Sequence, residues 1–252
     1  MAMTRPYVLS IAGFDPSGGA GILADIKTFE SNKVYGLGAI SANTFQNDTE
    51  FKKADWISLD EILEQVGLLK ERFSIEYIKI GLIENLEVLD QLISQLQVLT
   101  GSKGKIIWDP ILRSSSGFGF HEKVNRELVE KICGRLYLLT PNIPEALELG
   151  RSEDAKENAK YLSRFCNVYL KGGHSENDRG RDFLFTREEK QFSFRPKAKT
   201  LAEKHGSGCI LSSAITANLA RGFRLHTACM RGKQYTERTL NSNKTLLAYH
   251  RI

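Results

Sequence analysis

Short apolar runs alternate with helical stretches along almost the whole chain, and this rhythm constrains the fold more than any single motif. Strands are predicted over residues 7–12, 36–42, 77–80, 105–108, 136–139 and 167–170. Between them the spacing predicts helices starting at residue 20 and over 58–72, 87–98, 125–133 and 154–165. In the first helix Ile22, Ile26 and Phe29 repeat at helical spacing, while Asp25 and Lys27 point elsewhere. In the second, Ser58 and Glu61 have the spacing of a capping box ahead of an apolar run. Short apolar strands separated by helices build a mainly parallel sheet covered on both faces, an α/β fold. Residues 182–185 and 191–194 suit a hairpin at the sheet edge, and a last helix is predicted over 226–240.

Six clusters of Gly, Pro or polar residues (FDPSGGAG, KIG, WDP, TPN, KGGH and KHGSGC) fall just after these strands or at loop mouths. Ligands of open parallel sheets collect beyond the carboxyl ends of the strands, so the six clusters predict one site assembled from distant parts of the chain. The length of 252 residues is met by a single domain over 1–252, and 41% hydrophobic with 26% charged residues suits a packed core. Thirty-five Lys and Arg against 30 Asp and Glu give +5, but the basic residues are scattered, which argues against a nucleic-acid surface. The cysteines at 133, 166, 209 and 229 show no CxxC spacing and no clustered His partners, which argues against zinc and a disulfide framework. The opening apolar run reaches Asp15 too soon for a secretory or membrane segment, so a cytoplasmic protein is expected.

The segment Lys204–Cys209 leads straight into ILSSAITANLARG, predicted as an amphipathic helix. A helix start leaves its first N–H groups without intrahelical partners, and Gly206 and Gly208 keep them open, so the turn can hold an anion. Ser207 is expected to cap it. Cys209 stands in the same positive field, which predicts a lowered thiol pKa and a thiolate. The turn Asp15–Gly21 has neither the GxGxxG nor the GxxxxGK(S/T) order of common nucleotide loops. It reads either as a tight turn with a helix cap or as a substrate-facing loop in which Gly18 and Gly19 permit close backbone approach.

From about Val8 to Gly222 the chain resembles the ribokinase-like superfamily, specifically the hydroxymethylpyrimidine and hydroxymethylpyrimidine-phosphate kinases of thiamine biosynthesis. The resemblance is carried by IAGFDPSGGAGILADIKTF, TFQN, YIKIGLI, IIWDPIL, LLTPNIPEA, YLKGGH and HGSGCILSSAI, in that order. It implies a three-layer α/β/α sandwich and an ATP- and Mg²⁺-dependent kinase that phosphorylates 4-amino-5-hydroxymethyl-2-methylpyrimidine and then its monophosphate. A vitamin B6 kinase acting on pyridoxine or pyridoxal is the closest alternative. The resemblance makes Gly206, Ser207, Gly208 and Cys209 the anion hole, with Cys209 as proton acceptor. It puts Asp109, Asn142, Glu145 and Lys171 at ATP, the two carboxylates also toward Mg²⁺. Gly13, Asp25, Gln46, Gly81 and Leu82 fall to the pyrimidine, and a homodimer is implied.

Departures from the family pattern are Phe14 where Ser or Thr is usual, Glu203 and Lys204 where an Asn-Thr pair is usual, and Ser207 for Thr. Leu82 stands where many relatives carry Met. Ser115 takes the position of a loop lysine, and Arg113 supplies a positive charge two residues earlier. Arg113 reads either as reaching an anionic phosphate in place of that lysine or as an ordinary solvated arginine.

Overall fold

The computed structural model describes residues 4–101, 104–112, 124–173, 180–198 and 202–250. The loop with Arg113 and Ser115 lies outside these residues, as does His174. The first half of the chain gives β1 (Tyr7–Phe14), α1 (Gly21–Ser31), β2 (Tyr35–Gln46), β3 (Phe51–Trp56), α2 (Leu59–Arg72), β4 (Ile75–Ile80) and α3 (Leu86–Thr100). Then follow β5 (Lys105–Trp108), α4 (Arg126–Cys133), β6 (Leu138–Leu139), α5 (Ile143–Leu149), α6 (Ala155–Leu162) and β7 (Asn167–Leu170). An edge hairpin of β8 (Asp182–Phe185) and β9 (Gln191–Phe194) precedes α7 (Ser207–Ala220) and α8 (Leu225–Leu240).

The nine strands of the described residues belong to one sheet, in the order β3-β2-β1-β4-β5-β6-β7-β8-β9. The six central strands run parallel, and β3, β8 and β9 close the edges in antiparallel pairing. One face packs on α2 to α6 through Ile62, Leu89, Ile93, Val129 and Leu162, all buried. The other packs on α1, α7 and α8 through Phe29, Ile215, Leu219 and Cys229. The layers are those of the predicted three-layer sandwich, and the Ser58–Glu61 capping box forms as expected.

Three expectations change. Strand β3 was not foreseen, because FKKADW has no apolar alternation; its residues are mostly half-buried or exposed on an edge. Pairing with it draws β2 out to Gln46, four residues past the predicted end. Helix α7 is not amphipathic. Cys209 through Leu219 are all buried, since the helix lies between the sheet, α1 and α8. A helix buried all round must satisfy its polar side chains internally. Ser212 and Ser213 do so with Asp109 and Asp25.

Candidate active site

The carboxyl ends of β1, β4, β5, β6 and β7 converge on the N-terminus of α7 around a cavity of about 670 Å³. Gly13, Gln46, Leu82, Asp109, Asn142, Glu145, Lys171, Gly206, Ser207, Gly208 and Cys209 all line it. Two predicted residues do not. Asp25 is fully buried beneath the wall, where Oδ2 accepts from Ser10 Oγ at 2.6 Å and Lys79 Nζ at 2.7 Å, and Oδ1 accepts from Ser213 Oγ at 2.6 Å. With both oxygens engaged, it is a structural anchor rather than a substrate contact. Gly81 stands behind Leu82, and a Cβ there would lie 3.0 Å from Lys79 Nζ.

Gly206 is the N-cap of α7, in the left-handed region at φ 73°, and no side chain caps the helix. The expected cap by Ser207 is thus corrected: Ser207 is the first helical residue, and the first-turn N–H groups stay open toward the cavity. The backbone around Gly206 leaves no room for a side chain, since a Cβ would lie 2.0 Å from the Gly19 carbonyl. The Asp15–Gly21 loop is the other half of this contact. Asp15 accepts from Ser17 N, Ser17 Oγ and Ala20 N, and its Oδ2 meets His205 Nε2 at 2.9 Å. Gly18 and Gly19 do not line the cavity: Gly19 packs against His205 and Gly206, and Gly18 lies beside Lys27.

The C-terminal segment straps the same turn from outside. Lys204 Nζ donates to the carbonyl and Oδ1 of Asn243, at 2.8 and 2.9 Å, and to the carbonyl of Thr245. His205 N–H donates to the Leu246 carbonyl at 3.0 Å. Leu247 fills the space beside Gly19.

Lys171, just past β7, lies between two carboxylates, 2.7 Å from Asp109 and 3.5 Å from Glu145. Gly208 lies against it: a Cβ there would be 3.3 Å from Lys171 Nζ. Burial would discharge Lys171, but Asp109 and then Glu145 hold its pKa above the ordinary lysine value. Burial likewise opposes the charge on Asp109, yet Lys171 and then Lys79 keep its carboxyl below the usual range. Glu145 is pushed up to about 7 by burial, with Asp109 adding to the rise against the pull of Lys171. Glu145 and Asn142 also form a capping box at the start of α5.

Cys209 departs from expectation. Burial pushes its thiol up to about 11; Lys79 pulls it down, Asp25 and Asp109 push it further up, and the Gly21 N–H opposes them. Desolvation outweighs the helix field, and the resting group is a thiol.

At the other end of the cavity Gln46 Nε2 donates to Thr44 Oγ1 at 2.9 Å, and Thr44 Oγ1 donates to the Phe14 carbonyl at 2.7 Å. Phe51, Ile111 and Leu112 add apolar walls. None of these three was foreseen, nor was a second ion cluster near the β8 edge. There Lys233 Nζ meets Asp182 at 2.8 Å and Glu237 at 3.6 Å, and Asp182 accepts from Tyr169 and from the Gly172 N–H. A lone acid opening the apolar strand DFLF and a Lys–Glu pair one helical turn apart were the available signals.

A family model for phosphomethylpyrimidine kinase matches residues 15–251. The chain is 35% identical over 251 residues to a hydroxymethylpyrimidine/phosphomethylpyrimidine kinase of Aquifex aeolicus, covering 94% of this chain and 95% of that one. It is 32% identical over 244 residues to the protein of the same name from Staphylococcus aureus, covering 92% and 87%. Among solved structures, phosphomethylpyrimidine kinase from Clostridium difficile superposes with a TM-score of 0.76 at 29% identity, covering 92% and 98%. Bacillus subtilis pyridoxal kinase in an ADP complex superposes with a TM-score of 0.81 at 24% identity, covering 98% of each chain, a likeness of fold.

Proposed function

Because the chain belongs to the phosphomethylpyrimidine kinase family, we propose that it transfers the γ-phosphoryl group of ATP to the hydroxymethyl group of 4-amino-5-hydroxymethyl-2-methylpyrimidine, and then to the monophosphate, in thiamine biosynthesis. The observation that carries the reading is the uncapped start of α7 set against Lys171 in a cavity whose far end offers Gln46. Phosphoryl transfer needs little covalent chemistry from the protein; it needs alignment and stabilisation of charge on the transferred group. In this reading the N–H groups of Ser207, Gly208 and Cys209 receive the phosphoryl oxygens, and Lys171 neutralises the polyphosphate beside them.

The donor set also bears on Mg²⁺. The facing oxygens of Asp109 and Glu145 are already drawn to Lys171, and the described residues hold no cluster of three His, Cys, Asp or Glu side chains suited to a metal. Such a set fits a cation held by nucleotide phosphates and water, with Asp109 and Glu145 in its outer sphere, as Mg²⁺ prefers. When bound it would neutralise phosphate charge.

Cys209 is assigned the proton of the attacking alcohol, which leaves late in the transfer. Since the resting group is a thiol, only its thiolate fraction can accept, and the buried Lys79 beneath supports that fraction. Gln46 supplies donor and acceptor for the ring edge, and Leu82 and Phe51 supply apolar walls. The family likeness also leads us to propose a single domain, a cytoplasmic location and a homodimer. None of the described helices is long and apolar enough to cross a membrane.

A panel of the pyrimidine alcohol, its monophosphate and pyridoxine, each with ATP and Mg²⁺ and read by product mass, tests the reading. Mono- and then diphosphorylated pyrimidine are expected. Turnover of pyridoxine with none of the pyrimidines would overturn it.

A further inference from the structure

Thr44 accepts one hydrogen bond and donates one, and the order of the two decides what Gln46 can read. The Phe14 carbonyl can only accept, so the single Thr44 hydroxyl proton is committed there, at 2.7 Å. Oγ1 is left with lone pairs alone. Its second neighbour, 2.9 Å away on the same strand, must therefore bring a proton, and the Gln46 side chain does so with Nε2. Turned the other way, Oε1 would face Oγ1 with no proton between them, two acceptors in contact at a part-buried position. Among the described residues the Gln46 side chain makes no other hydrogen bond. Its second N–H and its Oε1 are both left for the cavity, in one fixed order.

We propose that Thr44 is a positioning residue that sets substrate specificity by locking the Gln46 amide in this orientation, so that the site reads a ring nitrogen beside an exocyclic amine. This rests on the kinase reading above. A carboxamide edge presents an acceptor next to a donor, and an aminopyrimidine presents an amine donor next to a ring-nitrogen acceptor, so the two edges pair twice. A flipped amide transposes the pair and opposes like with like. Pyridoxine carries its ring nitrogen and hydroxyl on either side of a methyl-bearing carbon, so it has no adjacent pair to offer. The lock is built from neighbours in the fold: Thr44 is 4% exposed, its methyl faces Gly13, and the Phe14 carbonyl is the last acceptor of β1.

Valine at this position keeps the shape of threonine and loses the hydroxyl. Thr44→Val should raise KM for the pyrimidine alcohol about 3- to 10-fold, the effect of one degraded hydrogen-bonded pair, with kcat and the KM for ATP held within about twofold. The kcat/KM preference for the pyrimidine over pyridoxine should shrink by the same factor. Thr44→Ser keeps the hydroxyl and should restore both, and Gln46→Leu sets the limit of complete loss. Melting curves of all three variants check that the fold survives. The lock is overturned if Thr44→Val leaves the pyrimidine KM and the preference unchanged, or if Thr44→Ser behaves like Thr44→Val. Wild-type protein that phosphorylates neither alcohol would bring down the kinase reading and the lock together, whereas normal wild-type turnover with an unmoved variant ratio fails the lock alone.

Discussion

Cys209 is the residue whose local and non-local surroundings disagree most. Six residues of sequence put it in the first turn of a helix, where the field favours a thiolate; the folded chain puts it 5% exposed with Asp25 and Asp109 nearby, and the pKa goes up to about 11. A base with a raised pKa gives a signed prediction. The charged form grows with pH, so kcat for the pyrimidine alcohol should climb from pH 7 to 9 without a plateau, and alkylation of Cys209 should climb in parallel. A plateau near neutral pH in either profile would mean a thiolate already present. Cys209→Ala should lose the slope and reduce turnover by about 10²–10⁴-fold while ATP affinity holds, the usual range for a general base. A purified, folded variant with near-normal turnover would remove Cys209 from the chemistry. Asp25 has the same lesson in reverse. Its place on α1 was legible, but the Ser10, Lys79 and Ser213 groups that occupy its carboxylate come from three other elements.

At the scale of elements, what could be read was whatever repeats locally. Central strands are apolar runs, α2 carries its own cap, and each strand's exit is marked by Gly, Pro or polar residues, which is why eleven of the thirteen site residues line one cavity. Strand β3 was hidden because an edge strand facing solvent has no burial to impose a pattern, and the residue it contributes to the cavity, Phe51, was hidden with it. Two glycines in helical elements separate backbone need from tolerance. Gly206→Ala puts a side chain on a left-handed residue against the Gly19 carbonyl and should cost at least about 2 kcal/mol, with loss of nucleotide affinity measured by titration. Gly67→Ala, inside α2 with open space around it, should instead raise stability by about 0.5–1 kcal/mol in denaturant melts and leave activity alone. Equal effects of the two would undo this account of the α7 turn.

Across the whole molecule, the α7 end of the cavity is held by contacts between segments far apart in the chain. Asp15 and His205 meet at 2.9 Å across 190 residues. Burial pushes the Asp15 carboxyl up, but the His205 ring, the Ala20 N–H and Ser17 together hold it below the 3.8 of an ordinary aspartate. A depressed carboxylate contributes stability that is complete above the unfolded value and is lost as pH falls through the folded one. The melting-temperature gap between wild type and Asp15→Asn should therefore be constant at neutral pH and close below about pH 4; a gap that persists unchanged to pH 3 would rule this out. No periodicity could reveal such a contact, nor the hold of Asn243, Thr245 and Leu246 on Lys204 and His205. That hold orders events during synthesis. A ribosome adding about 5–20 residues per second delivers Leu246 roughly two to eight seconds after Lys204. In that interval the nascent chain can lay down its sheet and bury its helices while the turn at the start of α7 still lacks its outer support. The outer support of the α7 turn therefore forms only after residues 243–246 have been added.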